Sequence, residues 1–189
     1  MYSSFHEMKS LINEGSAIDV VDTGTITLLD GIALGPGVYQ RIGRQVRLKH
    51  LNLRLFVTQQ NGALNTQLCR YMIVYDKQCN GALPSMGSLL DQTGTAPNVA
   101  RSLNRDYLSR FTVLVDDVLQ VNPVSMPNSL PHVEISKKID LPVQYNVTDT
   151  SSVGAIINGS LFLILFDQVP VGLINLKATF SAQVVFEDF

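Results

Sequence analysis

The hydrophobic pattern of the chain changes from helical to strand-like spacing within its first twenty residues. Residues 4–7 match a capping box, and apolar residues follow at helical spacing up to Gly15, where a helix would end. This pattern predicts one short helix within residues 1–16. From about residue 17, short β-rich runs separated by Gly, Pro and Asn predict an all-β body over residues 17–189.

The last strand has the clearest pattern in this body. Every second residue from Leu176 to Phe186 is apolar, which predicts one buried and one solvated face. Residues 161–166 are apolar without a break, so we expect a central strand covered on both faces. The remaining strands are predicted at residues 18–29, 45–58, 68–76, 111–115, 133–145 and 151–156.

One predicted strand changes its hydrophobic phase partway along. Apolar residues occupy even positions up to Leu48 and odd positions from Leu51. One extra residue resets which face of a strand points inward, so we predict a β-bulge near Lys49 and His50.

The number of strands and the length of their connections favour one fold class. About eight strands are joined by long loops at residues 77–109 and 122–132. This arrangement fits a Greek-key sandwich or jelly roll better than a meander of tight hairpins. We therefore expect a single eight-stranded jelly roll with a short N-terminal helix.

Composition adds an expectation about self-association. A chain of 189 residues fits a single domain, and its charged fraction of 16% is below the roughly 25% of average soluble domains. Interface cores are depleted in charge, so we expect a homo-oligomer. The longest apolar run has six residues, too few for a membrane-spanning helix, and we expect no membrane insertion.

Catalytic signatures are not found in the sequence. The three histidines are isolated, no serine lies in a GxSxG elbow, and no phosphate-binding lysine loop occurs. Cys69 and Cys79 fit neither a disulfide framework nor a CxxC site, and we interpret them as a strand thiol and a loop thiol. We expect no enzyme activity, no metal site and no cofactor.

Basic residues are concentrated in one segment. Between Asp30 and Asp76 there are six Arg and Lys residues and no acid, whereas the whole chain has a net charge of −2. Five of them form the candidate nucleic-acid contact set: Arg41, Arg44, Arg47, Lys49 and Arg54. Two alternatives remain open: these side chains pair with acids on other strands, or those near residues 41–44 brace a subunit interface.

Several motifs resemble those of a viral protein family. Residues 70–84 contain YDKQ-x-NG followed by a proline, residues 39–44 contain QRIGR, and residues 110–116 read RF-x-VL-x-D. Residues 137–146 and 159–163 continue the series in the same order. Together these motifs resemble the capsid proteins of circular Rep-encoding single-stranded DNA viruses, of the circovirus and geminivirus kind.

The resemblance implies a function. Such proteins are jelly rolls whose copies, about 60 in a T=1 shell, assemble into a small icosahedral particle around circular single-stranded DNA. It implies a place in the virion, formation of virus-like particles, and entry into the host nucleus; a host receptor is not identified by it. The alternative from the fold alone is a cellular binding module, such as a trimer of the tumour-necrosis-factor or lectin type.

The chain departs from this family at its start. Such capsid proteins begin with an arm rich in Arg and Lys, whereas residues 1–40 contain only Lys9. We expect either that an arm has been trimmed from this chain or that the lineage lacks one. With few cations to neutralise phosphate, an empty shell is consistent with the sequence.

Overall fold

The fold is built from two antiparallel β-sheets that pack face to face. The computed structural model describes residues 7–60, 65–94, 97–123, 131–148, 150–169 and 176–188. Within these ranges the strands are β1 (Met8–Val20), β2 (Thr25–Leu28), β3 (Gln45–Gln59), β4 (Gln67–Asp76), β5 (Phe111–Val121), β6 (His132–Tyr145), β7 (Ile156–Asn158), β8 (Ser160–Asp167) and β9 (Leu176–Asp188). The predicted all-β class is confirmed.

The order of the strands is that of a jelly roll. One sheet runs β1-β9-β3-β6-β7 and the other runs β2-β8-β4-β5. Strands that are neighbours along the chain are therefore distributed between the two sheets, as two nested Greek keys require. The short β7 pairs with the end of β6. The structure has nine strands against the eight predicted, because β1 and β2 are separate strands.

The core lies between the sheets and follows the predicted alternation. All alternate residues of β9 from Leu176 to Phe186 are buried, and every residue of β8 is buried. β8 lies between β2 and β4, and packed chain covers both of its faces, as its unbroken apolar run predicted. The bulge in β3 is also confirmed, because its pairing with both β6 and β9 shifts between Leu48 and His50.

The predicted N-terminal helix is wrong over residues 8–15, which belong to β1; Ser4 to His6 lie outside the described residues. β1 pairs with β9 from Met8 opposite Glu187 to Val20 opposite Leu176. A short helix is marginal in isolation, and this long ladder outweighs its weak local preference. Gly15, the expected helix end, packs under Phe180, and a Cβ there would lie 2.5 Å from the Phe180 ring.

Two other expectations need correction. The strand predicted at residues 18–29 is the end of β1 and the separate β2, with a turn at Gly24 between them. The strand predicted at residues 151–156 begins later, as β7, after a 3-10 turn at Val153–Ala155. In both places local turns interrupt runs that the apolar pattern had joined.

The long connection between β4 and β5 carries short helical turns. These are α1 (Met86–Leu89) and two 3-10 turns, Asn98–Ala100 and Arg105–Tyr107. Most of the second predicted loop, residues 124–130, lies outside the described residues. Cys69 on β4 and Cys79 in the β4–β5 loop are both free and buried, as interpreted. In the described ranges, no helix has the length and apolar character needed to cross a bilayer.

Candidate nucleic-acid interface

Four of the five predicted contact residues reach the surface of the subunit. Arg47, Lys49 and Arg54 lie on β3, and Arg44 lies in the loop just before it. Arg41 does not lie with them, because its side chain is buried in the protein.

Arg47 and Lys49 share one face of β3 and bind the same acid. Arg47 Nη1 lies 2.8 Å from Asp140 Oδ2, and Lys49 Nζ lies 3.1 Å from Asp140 Oδ1. Lys49 Nζ also lies 3.1 Å from Glu187 Oε2. The hydrogen bonds to Asp140 and then Glu187 raise the pKa of Lys49, and the bond from Lys49 is the main cause that lowers the pKa of Asp140.

Arg54 and Arg44 are the most exposed of the four. Arg54 Nε lies 3.3 Å from Glu134 Oε1, and both side chains are mostly in solvent, where an ion pair contributes little to stability. Arg44 is exposed, and no acid within the described residues forms an ion pair with it.

The inclusion of Arg41 in the contact set needs correction. Its guanidinium donates to three carbonyl oxygens, those of Ile32 at 3.1 Å, Gly43 at 2.8 Å and Thr148 at 2.7 Å. Its carbon lies 4.4 Å above the Tyr145 ring centroid. The side chain is fully buried, so it cannot reach a phosphate on the surface. Within the subunit it braces a turn, and the alternative in which it braces a subunit interface stays a prediction.

The surface around β3 is therefore close to electrically balanced. Four exposed cations face three carboxylates: Asp140, Glu187 and Glu134. This favours the interpretation in which the basic segment pairs with acids from other strands. For a polyanion, the balance leaves a small surplus of positive charge, to which Arg44 and the exposed Lys138 of β6, opposite His50, contribute.

Two bidentate ion pairs were not expected from the sequence. Arg110 binds Asp76 through two bonds, Nη2 to Oδ2 at 2.6 Å and Nε to Oδ1 at 2.8 Å, and the Asp76 side chain is completely buried. Arg70 binds Asp116 in the same way, with Nε to Oδ1 and Nη2 to Oδ2 both at 2.7 Å. β4 and β5 pair directly, and these forks join their side chains across the sheet. The register of β4 against β5 would have been needed to predict these two ion pairs, and the sequence does not give that register.

Asp30 is a buried acid, and no cation in the described part of the chain forms an ion pair with it. Its Oδ1 accepts bonds from Leu161 N at 3.0 Å and Ser160 Oγ at 3.3 Å, while Oδ2 has no hydrogen-bond partner. Burial raises the pKa of Asp30 to about 7, against the lowering effect of these bonds. Because Asp30 is sealed from solvent, it has no access to a substrate and offers no catalytic site.

A wide opening lies between the sheets beside β6. It is a cleft of about 930 Å³ with Arg47, Lys49, Lys77 and Glu187 among its lining residues. No nucleophile and base approach each other among the lining side chains. Within the residues that the structure covers, no group of three His, Cys, Asp or Glu side chains could hold a metal ion.

Comparison with protein families gives a match that spans nearly the whole chain. A family model described as the satellite tobacco necrosis virus coat protein matches residues 4–189. The coat protein of Maize white line mosaic Satellite virus is 31% identical over 97 residues. That alignment covers 51% of this chain, and it spans less than half, 44%, of the length of the relative.

Solved virus structures are similar to the chain over most of its length, at low sequence identity. Desmodium yellow mottle tymovirus gives a TM-score of 0.40 at 8% identity, covering 99% of this chain and 89% of that one. Cocksfoot mottle virus gives 0.41 at 9% identity, covering 95% and 91%. A 60-mer of the BFDV capsid protein gives 0.29 at 8% identity, covering 97% and 92%. Because the family model covers the whole jelly roll, the chain belongs to the satellite tobacco necrosis virus coat protein family.

Proposed function

We propose that this protein is a shell subunit whose copies self-assemble into a small icosahedral particle enclosing a single-stranded nucleic-acid genome. The observation that carries the proposal is the family match over residues 4–189, which includes every strand of the jelly roll. A coat protein acts through its contacts with other copies, and its role is structural. The low charged fraction, 16%, agrees with a surface that is largely covered by neighbouring subunits.

For the genome, we propose circular single-stranded DNA as the first candidate, with single-stranded RNA as the competing outcome. The DNA assignment rests on the motifs at residues 39–44, 70–84 and 110–116 that resemble coat proteins of circular Rep-encoding DNA viruses. Entry into the host nucleus is part of the same proposal.

The contact set proposed for the genome is Arg44, Arg47, Lys49 and Arg54. Three nearby carboxylates offset most of their charge, so we expect these residues to neutralise few phosphates. The affinity of a polyanion falls with salt in proportion to the phosphates neutralised, with a logarithmic slope of about −0.7 for each phosphate of a single strand. We therefore expect weak binding with a shallow salt dependence.

The proposed shell is tested by size-exclusion chromatography with light scattering on the purified chain. A closed shell gives a particle in the megadalton range, whereas the subunit is 20.8 kDa. A monomer at every salt and protein concentration would overturn the shell. A stable trimer would do the same, and it would favour the cellular binding module.

Nucleic acid within such particles is tested by absorbance at 260 and 280 nm, followed by extraction and digestion. Sensitivity of the extracted material to DNase supports the DNA genome; sensitivity to RNase alone overturns it and leaves the shell intact.

For the contact set, the double variant Arg44→Gln with Arg54→Gln should bind a single-stranded oligonucleotide more weakly. Arg105→Gln, which removes an exposed cation of the β4–β5 loop, is the matched control.

A further inference from the structure

Three loops meet at one end of the sandwich. They are the β2–β3 loop (residues 29–44), the two ends of the β4–β5 loop (residues 77–83 and 107–110) and the β6–β8 connection (residues 146–159), which contains β7. Hydrogen bonds join them: Asn80 N donates to Ile157 O at 3.0 Å, and the Arg41 side chain donates to Thr148 O. We call the surface formed by these loops the loop end.

Exposed apolar side chains are concentrated at the loop end. Thirteen large apolar residues are exposed in the described chain, and eight of them belong to these three loops. The eight are Val38, Tyr39, Ile42, Leu83, Tyr107, Leu108, Val147 and Ile157. Single exposed apolar residues are ordinary on a protein surface, but a cluster marks an interaction site.

The β2–β3 loop presents the most exposed part of this cluster. Val38, Tyr39 and Ile42 are 70%, 58% and 67% exposed within a span of five residues. We call these three residues the apolar knob.

The backbone around the apolar knob is held in one conformation by hydrogen bonds. Gly35 N donates to Arg41 O, Arg41 N donates to Ala33 O, and Gln40 N donates to Gly37 O, each at 2.9 Å. The Gln40 side chain accepts from Gly37 N at 2.9 Å, which closes the turn from the other side. A loop fixed in this way loses little conformational entropy when a partner covers it.

The apolar knob is also anchored to the five-stranded sheet. Arg41 reaches inward between Tyr39 and Ile42, and its three carbonyl bonds and the Tyr145 ring secure the loop from inside. On the outside, Asp188 Oδ2 accepts from Ile42 N at 2.9 Å and from Lys9 Nζ at 3.0 Å. The apolar side chains thus stand on a rigid base.

The two loops beside and around the apolar knob carry little exposed charge, which disfavours a polyanion as its partner. Asp30 and Arg41 are buried, so within the described parts of the β2–β3 loop and the β6–β8 connection Arg44 is the one exposed charged residue. On these two loops a nucleic acid would find one exposed cation, Arg44, whereas a neutral apolar surface matches another surface of the same kind. Two copies of this chain can meet at such a surface without like-charge repulsion.

We propose that the loop end is a docking surface for a second copy of this chain, with the apolar knob of Val38, Tyr39 and Ile42 as its central contact. The proposal rests on the proposed function and adds to it where on the subunit assembly takes place. Rigid, desolvated apolar anchors surrounded by weaker contacts are the residues that dominate the affinity of protein interfaces.

The test compares two double variants for assembly by light scattering over a range of protein concentrations. Tyr39→Ser with Ile42→Ser truncates the apolar knob. Ile12→Ser with Phe56→Ser removes two exposed apolar residues of β1 and β3 and serves as the control. Thermal unfolding checks that each variant is folded. We expect both variants to fold because all four positions are on the surface.

We expect the knob variant to stay folded and to need at least a tenfold higher concentration to assemble, while the control assembles like the unchanged chain. Assembly of the knob variant at the unchanged concentration would overturn the proposal, and so would an equal loss in both variants. Failure of the unchanged chain to assemble overturns the proposed function instead, so the two failures are distinguishable.

Discussion

The Arg41 guanidinium stacks on the Tyr145 ring at 4.4 Å from its centroid, and neither side chain reaches solvent. The Tyr145 hydroxyl in turn donates to the carbonyl oxygen of Asp30 at 2.6 Å. Burial raises the pKa of Tyr145 well above its usual value, so the phenol stays neutral and keeps this bond. The pair connects β6 to the β2–β3 loop and fixes that loop against the sandwich.

Replacing Arg41 by Ala should destabilise the subunit strongly. The change leaves three carbonyl oxygens without their donor and removes a ring contact inside the protein. An unsatisfied buried polar group costs about 1–3 kcal/mol, so we expect the free energy of unfolding to fall by roughly 3–5 kcal/mol in urea denaturation. Arg44→Ala, at an exposed neighbouring position, should change it by less than about 0.5 kcal/mol. Equal effects of the two changes would contradict the structural role of Arg41.

Arg110→Ala should be far more damaging than Arg54→Ala. Arg110 holds the buried Asp76 carboxylate through two bonds, and its loss leaves a buried charge uncompensated. Breaking a buried ion pair in this way costs about 3–5 kcal/mol. Arg54 pairs with Glu134 in solvent, where such pairs contribute about 0–1 kcal/mol. Urea denaturation of both variants measures the difference, and a similar loss in both would show that Asp76 does not depend on Arg110.

Gly159→Ala should destabilise the start of β8, whereas Gly154→Ala should not. Gly159 has a φ of +74°, and an added Cβ would collide with the carbonyl oxygen of Pro142 and lie 2.6 Å from the Tyr75 hydroxyl. At Gly154 the nearest atom would be 3.6 Å away. We expect a loss of roughly 1–3 kcal/mol at position 159 and less than about 0.5 kcal/mol at position 154, measured by thermal unfolding. A tolerated Gly159→Ala would contradict the close approach of β6 and β8.

Asp30 should make the stability of the subunit depend on pH. Burial raises the pKa of Asp30 from 3.8 to about 7 in the folded protein. The protonated side chain therefore adds its full contribution to the free energy of unfolding below pH 3.8, and that contribution is lost as pH rises through 7. The groups around it are Tyr75 and Asp76 on β4, Tyr145 on β6 and Ser160 on β8, and Tyr75 is itself held neutral by a pKa of about 12.

Asp30→Asn separates this effect from the rest of the protein, because the amide oxygen can still accept from Leu161 N and Ser160 Oγ. We expect the variant to be more stable than the unchanged chain at pH 8. That advantage should shrink by about 2–3 kcal/mol between pH 8 and pH 5, as Asp30 takes up its proton in the folded state. A pH-independent difference, measured by urea denaturation across this range, would show that Asp30 titrates normally.

Most strands could be predicted because their hydrophobic patterns are set by burial within the sheets themselves. The phase change between Leu48 and Leu51 has one simple physical cause, an extra residue, and the bulge lies there. The run at residues 161–166 has no polar face to expose, which required a central position. Such features need no knowledge of the partner strands.

The helix predicted at the N-terminus failed for the opposite reason. Its capping and spacing signals are local, whereas the structure of residues 8–15 is decided by pairing with residues 180–187, at the far end of the described chain. Residues paired in this ladder are more than 150 positions apart in sequence, so no local signal could show it.

The candidate site was only partly predictable. The basic segment is evident from composition, and pairing with acids was an open alternative, but the particular partners depend on register: Glu134 lies opposite Arg54 in the β3–β6 ladder. The burial of Arg41 could not be inferred at all, because arginine is among the residue types least often buried and its partners are backbone carbonyls, which every residue has.

The position of β9 between β1 and β3 has a consequence for synthesis on the ribosome. β9 is translated after both of its neighbours, so a nascent chain carries β1 and β3 with unpaired edges until residues 176–188 emerge. Unpaired edges invite aggregation, and pairings between distant segments form slowly. The five-stranded sheet can therefore close only on chains that include β9, and prematurely terminated polypeptides cannot present the finished surfaces that a particle needs.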